Sequence, residues 1–434
     1  MSEQQQDNGL IGSLFTGYGG LDMGVNMALG GGMRVAYTSD IEPGPTAIER
    51  YHAHGDDCPN LGDITRLDKD NLPYTDVICG GSPCFPAGSL VLTDHGFMPI
   101  EHVKVGDRVL THKGNWKPVT DIGSHIGDTI ILRGQGTPGI ECTPNTLFLT
   151  CGASRQWSPR KNGYERIQTD FKWVPVNDLI GRWICNVASV PPLSIPEFQY
   201  PNAVVRRIRM DTAFFYFVGR FLGDGWLSIV HMKNGKGDSC RVHICDSFDK
   251  EREMIDHFNE TDLHFYKSYT ATTVKFTCYS MALYRWLYEN FGKGAKGKRI
   301  PSWVFGMRKE WRDALIRGYR DSDGSKTKNG WTALSVSENL ILGMKTLMLM
   351  EGKGVSLSSY QAHRAHYLRG GLVKDSRTYN LAIFDHSKLG FIRPDSFWGR
   401  VRRAEEGRKG ERLYGLRVED DCSYTVDGIA VSGL

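Results

Sequence analysis

With 434 residues, 40% of them hydrophobic, the chain has material for about two to four separate cores. Its net charge of +4 conceals an uneven distribution: residues 1–83 hold 4 Lys and Arg against 12 Asp and Glu, so an acidic front is joined to a basic remainder suited to a polyanionic partner. The ten cysteines form no CxxC pair and no zinc-type spacing with His, and neither a signal segment nor an apolar run long enough for a membrane span is present; these features predict a reducing, cytoplasmic protein with free thiols and no membrane partner.

The first predicted element is the apolar run Leu10-Ile11-Gly12-Ser13-Leu14-Phe15, which fits a buried parallel strand and leads into the glycine turn Thr16-Gly17-Tyr18-Gly19-Gly20. A second strand, Arg34 to Ser39, ends at Asp40, about the distance downstream at which an acid meets ribose hydroxyls in nucleotide folds. Gly62-Asp63-Ile64 and the run Asp76-Val77-Ile78-Cys79 supply a further loop and strand, closed by Gly80-Gly81-Ser82-Pro83-Cys84. The glycine turn, the acid, Gly-Asp-Ile and Gly-Gly-Ser-Pro-Cys stand in the order found in DNA cytosine-5 methyltransferases, which this segment resembles. The resemblance implies a Rossmann-like α/β fold that takes S-adenosylmethionine, with Phe15, Gly17 and Gly19 at the methionine end, Asp40 at the ribose and Asp63 at the adenine. It also implies that Cys84 is the nucleophile that attacks carbon 6 of a flipped-out cytosine. Phe85 stands where the family expects Gln, and the later Glu-Asn-Val and Gln-x-Arg-x-Arg segments have no counterpart, so the methyltransferase is expected to be half present and inactive unless joined to a separately encoded C-terminal half.

From Cys84 onward the pattern changes to short β-rich runs separated by glycine turns, such as Leu90-Val91-Leu92, Arg108-Val109-Leu110 and Thr129-Ile130-Ile131-Leu132, which predict an all-β body. Cys84-Phe85-Pro86-Ala87-Gly88-Ser89, Glu141-Cys142-Thr143-Pro144-Asn145-Thr146 and the closing run Val418 to Gly433 resemble the conserved blocks of inteins. This resemblance implies one Hint domain formed by residues 84–195 and 405–434. In that chemistry the Cys84 thiol attacks the preceding carbonyl, with Thr143 as a polarising partner. The residues expected to finish splicing are missing: Thr146 stands for a His, Cys422 for another His, Ser432 for the penultimate His, Gly433 for the terminal Asn and Leu434 for the downstream nucleophile. A Hint scaffold that folds without splicing is the expectation; cleavage at Pro83-Cys84 is the alternative.

Between these segments, Phe214-Phe215-Tyr216-Phe217-Val218-Gly219-Arg220-Phe221-Leu222-Gly223-Asp224-Gly225 predicts an apolar helix ending in an acid. Leu315-Ile316-Arg317-Gly318-Tyr319-Arg320-Asp321-Ser322-Asp323-Gly324 repeats it, Gly219 matching Gly318 and Asp224 matching Asp323. Two glycines at equivalent helical positions, each unfavourable by about 1 kcal/mol, imply a close helix crossing that brings both acids to one centre. The repeat resembles the LAGLIDADG homing endonucleases, with an α+β fold expected over residues 205–400. The resemblance implies that Asp224 and Asp323 hold Mg²⁺ at a scissile phosphate of double-stranded DNA and that Lys298, in Lys298-Arg299-Ile300-Pro301, assists. Basic clusters at Lys293 to Arg299 and at Arg393 to Arg403, the latter with Trp398 interleaved, are expected to track phosphates. The combined expectation is a multidomain chain: a methyltransferase fragment (1–83), an intein-type insert, and a site-specific endonuclease nested in it.

Overall fold

The computed structural model describes residues 9–14, 20–39, 58–62, 67, 71–80, 83–200, 207–231, 238–362, 367–368, 371–372, 376–387 and 390–434. It divides into two compact units, Met1–Pro83 and Cys84–Leu434.

In the first unit, strands Leu10–Leu14, Arg34–Ser39 and Val77–Gly80 form a parallel sheet with Leu10–Leu14 in the middle. Helix α1 (Gly20–Ala28) lies in the crossover from the first strand to the second. The loop after the helix is tied by Asn26, whose amide donates to the Met33 carbonyl and accepts from the Met33 N–H, both at 2.9 Å. Gly12 is required by packing: a Cβ there would lie 2.6 Å from the Tyr37 hydroxyl.

The second unit is organised by a fifteen-stranded sheet built from both ends of the segment. Strands from 84–187 interleave with strands from 391–432: Phe85 and Pro86 pair with Tyr414 and Leu413, Val91 with Val426, Phe148 with Val431, and Trp183–Val187 with Ser396–Arg400. The last hairpin, Ser423–Val426 with Ile429–Ser432, turns on Asp427-Gly428, whose φ values of 52° and 78° are those of the two-residue turn that Asp-Gly favours. Apolar side chains of both chain segments, among them Val91, Val109, Ile184, Leu416, Val426 and Val431, close one core.

The strand Ser396–Glu406 corrects two expectations. It crosses the boundary expected between the insert (to 400) and the closing Hint segment (from 405), and lies within the fifteen-stranded sheet. Nor does Trp398 stand in a phosphate-tracking surface: it is buried, its indole N–H donating to Ser396 Oγ at 2.9 Å. From Gly399 the run alternates, with Arg400 and Arg402 outward and Gly399 and Val401 buried, until a bulge between Val401 and Arg403 leaves Arg403 outward as well.

Inside this frame, residues 212–384 contain two copies of one arrangement. Helix α2 (Thr212–Asp224) is followed by strands Gly225–His231 and Asp238–Ser247, α3 (Glu251–Asn259), strands Tyr266–Tyr269 and Thr273–Tyr279, and then α4 (Met281–Phe291). Helix α5 (Lys309–Asp323) is followed by strands Gly324–Thr327 and Gly330–Ser335, α6 (Glu338–Met350), and strands Gly354–Ala362 and Ser376–Phe384. In each four-stranded sheet the fourth of these strands sits between the second and third. Helix α2 starts at Asp211, whose side chain accepts from Phe214 N–H at 3.0 Å, and α6 starts at Ser337, which accepts from Leu340 N–H at 3.2 Å. Every residue from Phe214 to Leu222 is buried, which explains the apolar run read in the sequence.

Candidate active sites

Helices α2 and α5 cross at their glycines. A Cβ at Gly219 would overlap the Leu315 carbonyl oxygen and lie 2.7 Å from Tyr319 N; one at Gly318 would overlap the Tyr216 carbonyl oxygen and lie 3.0 Å from Arg220 N. Backbone therefore meets backbone, and only glycine at both places allows it. Each helix ends on its acid, Asp224 or Asp323, and passes directly into a strand. At the ends the helices remain close: a Cβ on Gly223 would lie 2.5 Å from Ser322 Cβ and 3.4 Å from the Asp323 carboxyl carbon.

The two carboxyls share one electrostatic environment. Burial, then the charge of Asp224, pushes Asp323 up to about 6, while Lys298 and Arg220 oppose the rise. Asp224 is also raised, first by burial, with Asp246 adding to the rise and Arg220 and Lys298 opposing it. Lys298 is buried, its ammonium donates to the Gly223 carbonyl at 2.7 Å, and burial brings it down to about 8 against the pull of Asp323 and Asp224. The loop that delivers it turns at Gly292 and Gly294, both at positive φ, and is fastened by Ser337 Oγ donating to the Lys298 carbonyl at 2.6 Å. Asp224, Asp323 and Lys298 are thus brought together from three elements.

Arg220 was not singled out by the sequence. Its side chain is 2% exposed and pairs with the Asp246 carboxylate, and its positive charge faces both site acids. A lone arginine inside an apolar helical run was the available signal. Beside it opens a groove of about 710 Å³ lined by Arg220, Lys250, Arg320, Lys326 and Lys353 among others. Among the described residues no group of three or more His, Cys, Asp or Glu could hold a metal. The pair of carboxylates nonetheless fits Mg²⁺, which takes one or two carboxylates and completes its octahedron with water and phosphate oxygens.

The second site surrounds Cys84. It is fully buried, its N–H donates to Thr143 Oγ1 at 3.1 Å, and its carbonyl accepts from Thr143 N–H at 2.9 Å. Thr143 Oγ1 is 2.9 Å from Thr146 Oγ1, so Thr146 stands in the site as a hydroxyl where an imidazole was expected. Burial pushes the neighbouring Cys142 thiol up to about 12, a protonated, unreactive state. At the other end, Gly433 N–H donates to the Cys422 carbonyl at 2.8 Å and Leu434 N–H to the Leu416 carbonyl at 2.9 Å, which fixes the closing residues along the sheet. A Cβ on Gly433 would lie 2.9 Å from the Leu416 carbonyl oxygen, so this backbone is fitted to a residue without a side chain. Cys422 is exposed at φ 45°.

Phe15, Gly17, Gly19, Asp40 and Asp63, the expected S-adenosylmethionine residues, lie outside the described residues.

Residues 10–89 match the family of C-5 cytosine-specific DNA methylases, and residues 83–136 match the Hint domain family. Among curated proteins the chain is similar to an ATP-dependent DNA helicase Hel308 of Thermococcus kodakarensis, 23% identical over 416 residues covering 79% of this chain and 35% of the relative. It is similar also to an iron-sulfur cluster assembly SufBD family protein of Mycobacterium tuberculosis, 22% identical over 396 residues covering 86% of this chain and 45% of the relative. The chain therefore spans less than half the length of these relatives. Among solved structures it is similar to the homing endonuclease I-DmoI in complex with DNA and Ca (TM-score 0.29, 18% identity, 40% of this chain and 82% of that one). It is similar also to the gp41-1 intein (TM-score 0.16, 15% identity, 22% of this chain and 84% of that one). No helix among the described residues is long and apolar enough to cross a membrane. The two family matches overlap over residues 83–89, where the compact units also divide, and the glycine-crossed helices lie inside the later unit: the front of the chain is similar to C-5 cytosine-specific DNA methylases and the start of the second unit to Hint domains.

Proposed function

We propose that the chain acts as a site-specific endonuclease on double-stranded DNA, that residues Asp224 and Asp323 hold the divalent cations for cleavage, and that protein splicing has been lost. The observation that carries this reading is the pair of half-buried carboxyls at the ends of the crossed helices, burial raising both and the charge of Asp224 raising Asp323 further, with the Lys298 ammonium beside them. Acids placed so close are unfavourable without a cation, which gives the arrangement a use only where one is bound. A bound Mg²⁺ would offset the charge repulsion and activate water toward a phosphodiester. The chain's own groups do the rest: Asp224 and Asp323 fix the ligand oxygens, and Arg220 supplies a fixed positive charge beside them. Lys298, held by the Gly223 carbonyl and with its proton loosened toward neutrality, supplies a proton near the leaving oxygen. The test is Asp224→Asn and Asp323→Asn, each of which removes a charge and keeps the shape. Cleavage of a duplex carrying the uninterrupted methylase coding sequence should collapse in both while DNA binding survives; full activity in both overturns the assignment.

For the Hint domain, Ser432, Gly433 and Leu434 occupy the positions of the imidazole, the cyclising amide and the downstream nucleophile. None can supply that chemistry, and the tethering that makes cyclisation efficient has nothing to act on. A second reading, thiol-dependent cleavage before Cys84, is favoured by the Thr143 hydroxyl on the Cys84 amide. Mass spectrometry separates the two: an intact 48.7 kDa chain after incubation with thiol supports lost processing, and a fragment starting at Cys84 supports the alternative. For the first unit the family match implies S-adenosylmethionine, and we expect weak binding without methyl transfer. Calorimetric titration with the cofactor and a methyl-transfer assay check it, and tight binding with transfer to DNA overturns it.

A further inference from the structure

We infer that the hairpin formed by Leu147–Ser158 and Gly163–Pro175 of the Hint domain is a second DNA-binding element, an arm that lies in the major groove of duplex DNA beyond the stretch being cut.

The base of this hairpin belongs to the sheet: Phe148, Thr150 and Cys151 pair with other strands. From Gly152↔Thr169 to Ser158↔Gly163 the two strands pair only with each other, seven pairs in register. At 3.4 Å per residue the ribbon is about 24 Å long, and its outer three pairs, about 10 Å, lie beyond its last anchor on the body. An isolated two-stranded ribbon is marginal in water, so its order must come from its inner half and its tip. Midway along, at the Arg155↔Arg166 pair, Arg166 lies over the rings of Trp183 and Phe391, 5.4 and 4.6 Å from their centroids, and donates to the Gly390 carbonyl at 3.1 Å. At the tip, Pro159 opens a tight turn that Asn162 closes at φ 45°, and Trp157 packs edge-to-face on Tyr164 with centroids 5.4 Å apart.

That aromatic pair has no core to join. Trp157 is 51% and Tyr164 72% exposed, an unfavourable display for a domain that needs neither ring in its own packing. Residues 152–169 hold four cations, Arg155, Arg160, Lys161 and Arg166, against one acid, Glu165. Arg155 and Arg160 are exposed and make no ion pair with a described residue. Unpaired cations flanking exposed rings on a ribbon already fixed in shape match a polyanion with stacked, apolar-edged bases. The major groove of B-DNA admits a two-stranded ribbon, whereas that of A-form RNA is too narrow for side chains to read. The partner is therefore duplex DNA, and the inference rests on the proposed endonuclease reading only for making DNA the polyanion at hand.

The test uses the full chain with random-sequence duplexes of about 20 and about 60 base pairs, since phosphate contacts do not depend on sequence. Two variants, Arg155→Ala/Arg160→Ala and Trp157→Ala/Tyr164→Ala, change only exposed side chains, and unchanged melting confirms folding. Losing two phosphate contacts should lower the slope of log K against log salt by about 1.8 and weaken binding to the long duplex on the order of 60-fold at 0.1 M salt. The effect on the short duplex should be smaller, and a duplex RNA should compete poorly. Equal affinity and slope in wild type and both variants overturns the arm, as does equal competition by RNA or no DNA binding by the wild-type chain. Loss of binding in the arm variants by a chain that binds but never cuts DNA would leave the arm standing and remove the endonuclease.

Discussion

Replacing Gly219 or Gly318 with alanine tests whether the two acids are held together by backbone contact. In an ordinary helix the change favours stability by about 1 kcal/mol, because glycine is the poorer helix former. At this crossing the added methyl meets atoms that cannot rotate away: the Leu315 carbonyl oxygen and Tyr319 N for position 219, and the Tyr216 carbonyl oxygen and Arg220 N for position 318. Ordinary contact needs separations nearer 3.5–4 Å, so the helix axes must part by on the order of 1 Å. Overpacking of this kind costs about 1–3 kcal/mol, more than the propensity gain returns. Each single variant should therefore be destabilised by on the order of 1–2 kcal/mol in denaturant melts followed by tryptophan fluorescence. The double variant should fall short of the sum, because the first methyl has already opened the crossing. Separating the helix ends also separates the carboxyls, so cleavage should drop more than tenfold. A Gly219→Ala chain stabilised by about 1 kcal/mol, as the propensity gain alone would give, refutes the backbone crossing.

Without added divalent cation, Asp323→Asn should raise stability at pH 8. The folded carboxyl titrates at about 6 against 3.8 in its ordinary state, so its penalty is present above pH 6, falls as the pH is lowered, and is gone below 3.8. Allowing for solvent screening the gain is on the order of 2 kcal/mol, and thermal melts at pH 8 and pH 3.5 should show it only at the former. Thr143→Val removes the acceptor of the buried Cys84 amide and should destabilise the Hint core by about 1–3 kcal/mol in the same melts while leaving the cleavage rate unchanged. Lys345 is buried in α6 and donates to the Asp427 carbonyl at 2.7 Å, with burial lowering the lysine and raising the aspartate. Lys345→Met should cost on the order of 3 kcal/mol by removing the positive charge that most favours the buried Asp427 carboxylate, and adding Asp427→Asn should recover more than half of it in denaturant titrations.

What the sequence revealed was whatever depends on a residue type at a fixed spacing. The repeated Gly and Asp positions predict a crossing and a shared acid centre because helical geometry converts spacing into a face, and the helices do cross there. Which side of a strand faces water depends on the sheet that the strand joins, and Arg393 to Arg403 therefore read as a basic surface although Trp398 is buried in the core that the large sheet shares with the enclosed helices. The partners of Arg220 and Lys345 escaped for a related reason: Asp246 and Asp427 are distant in sequence and only the tertiary fold brings them near. The methylase glycine turn lies outside the described residues, and its role stays an expectation from the residue pattern.

The interleaving of early and late strands sets the order in which the chain can be completed during synthesis. Leu90–Thr93 emerges from the ribosome more than three hundred residues before its partner Ser423–Val426, and Trp183–Val187 roughly two hundred before its partners Ser396–Arg400 and Ile429–Ser432. At about 5–20 residues per second that gap lasts on the order of 10–40 s, ample time for the enclosed domain, whose helices and sheets pair almost entirely within residues 212–384, to fold first. The nested domain then brings the two halves of its host together as a short closed loop would, lowering the entropy of joining strands so far apart in the chain. The surroundings of Cys84, which include Phe85 paired to Tyr414 and packed edge-on to Tyr424, are finished only when the last strands dock, which makes the junction between the two units the last place to mature.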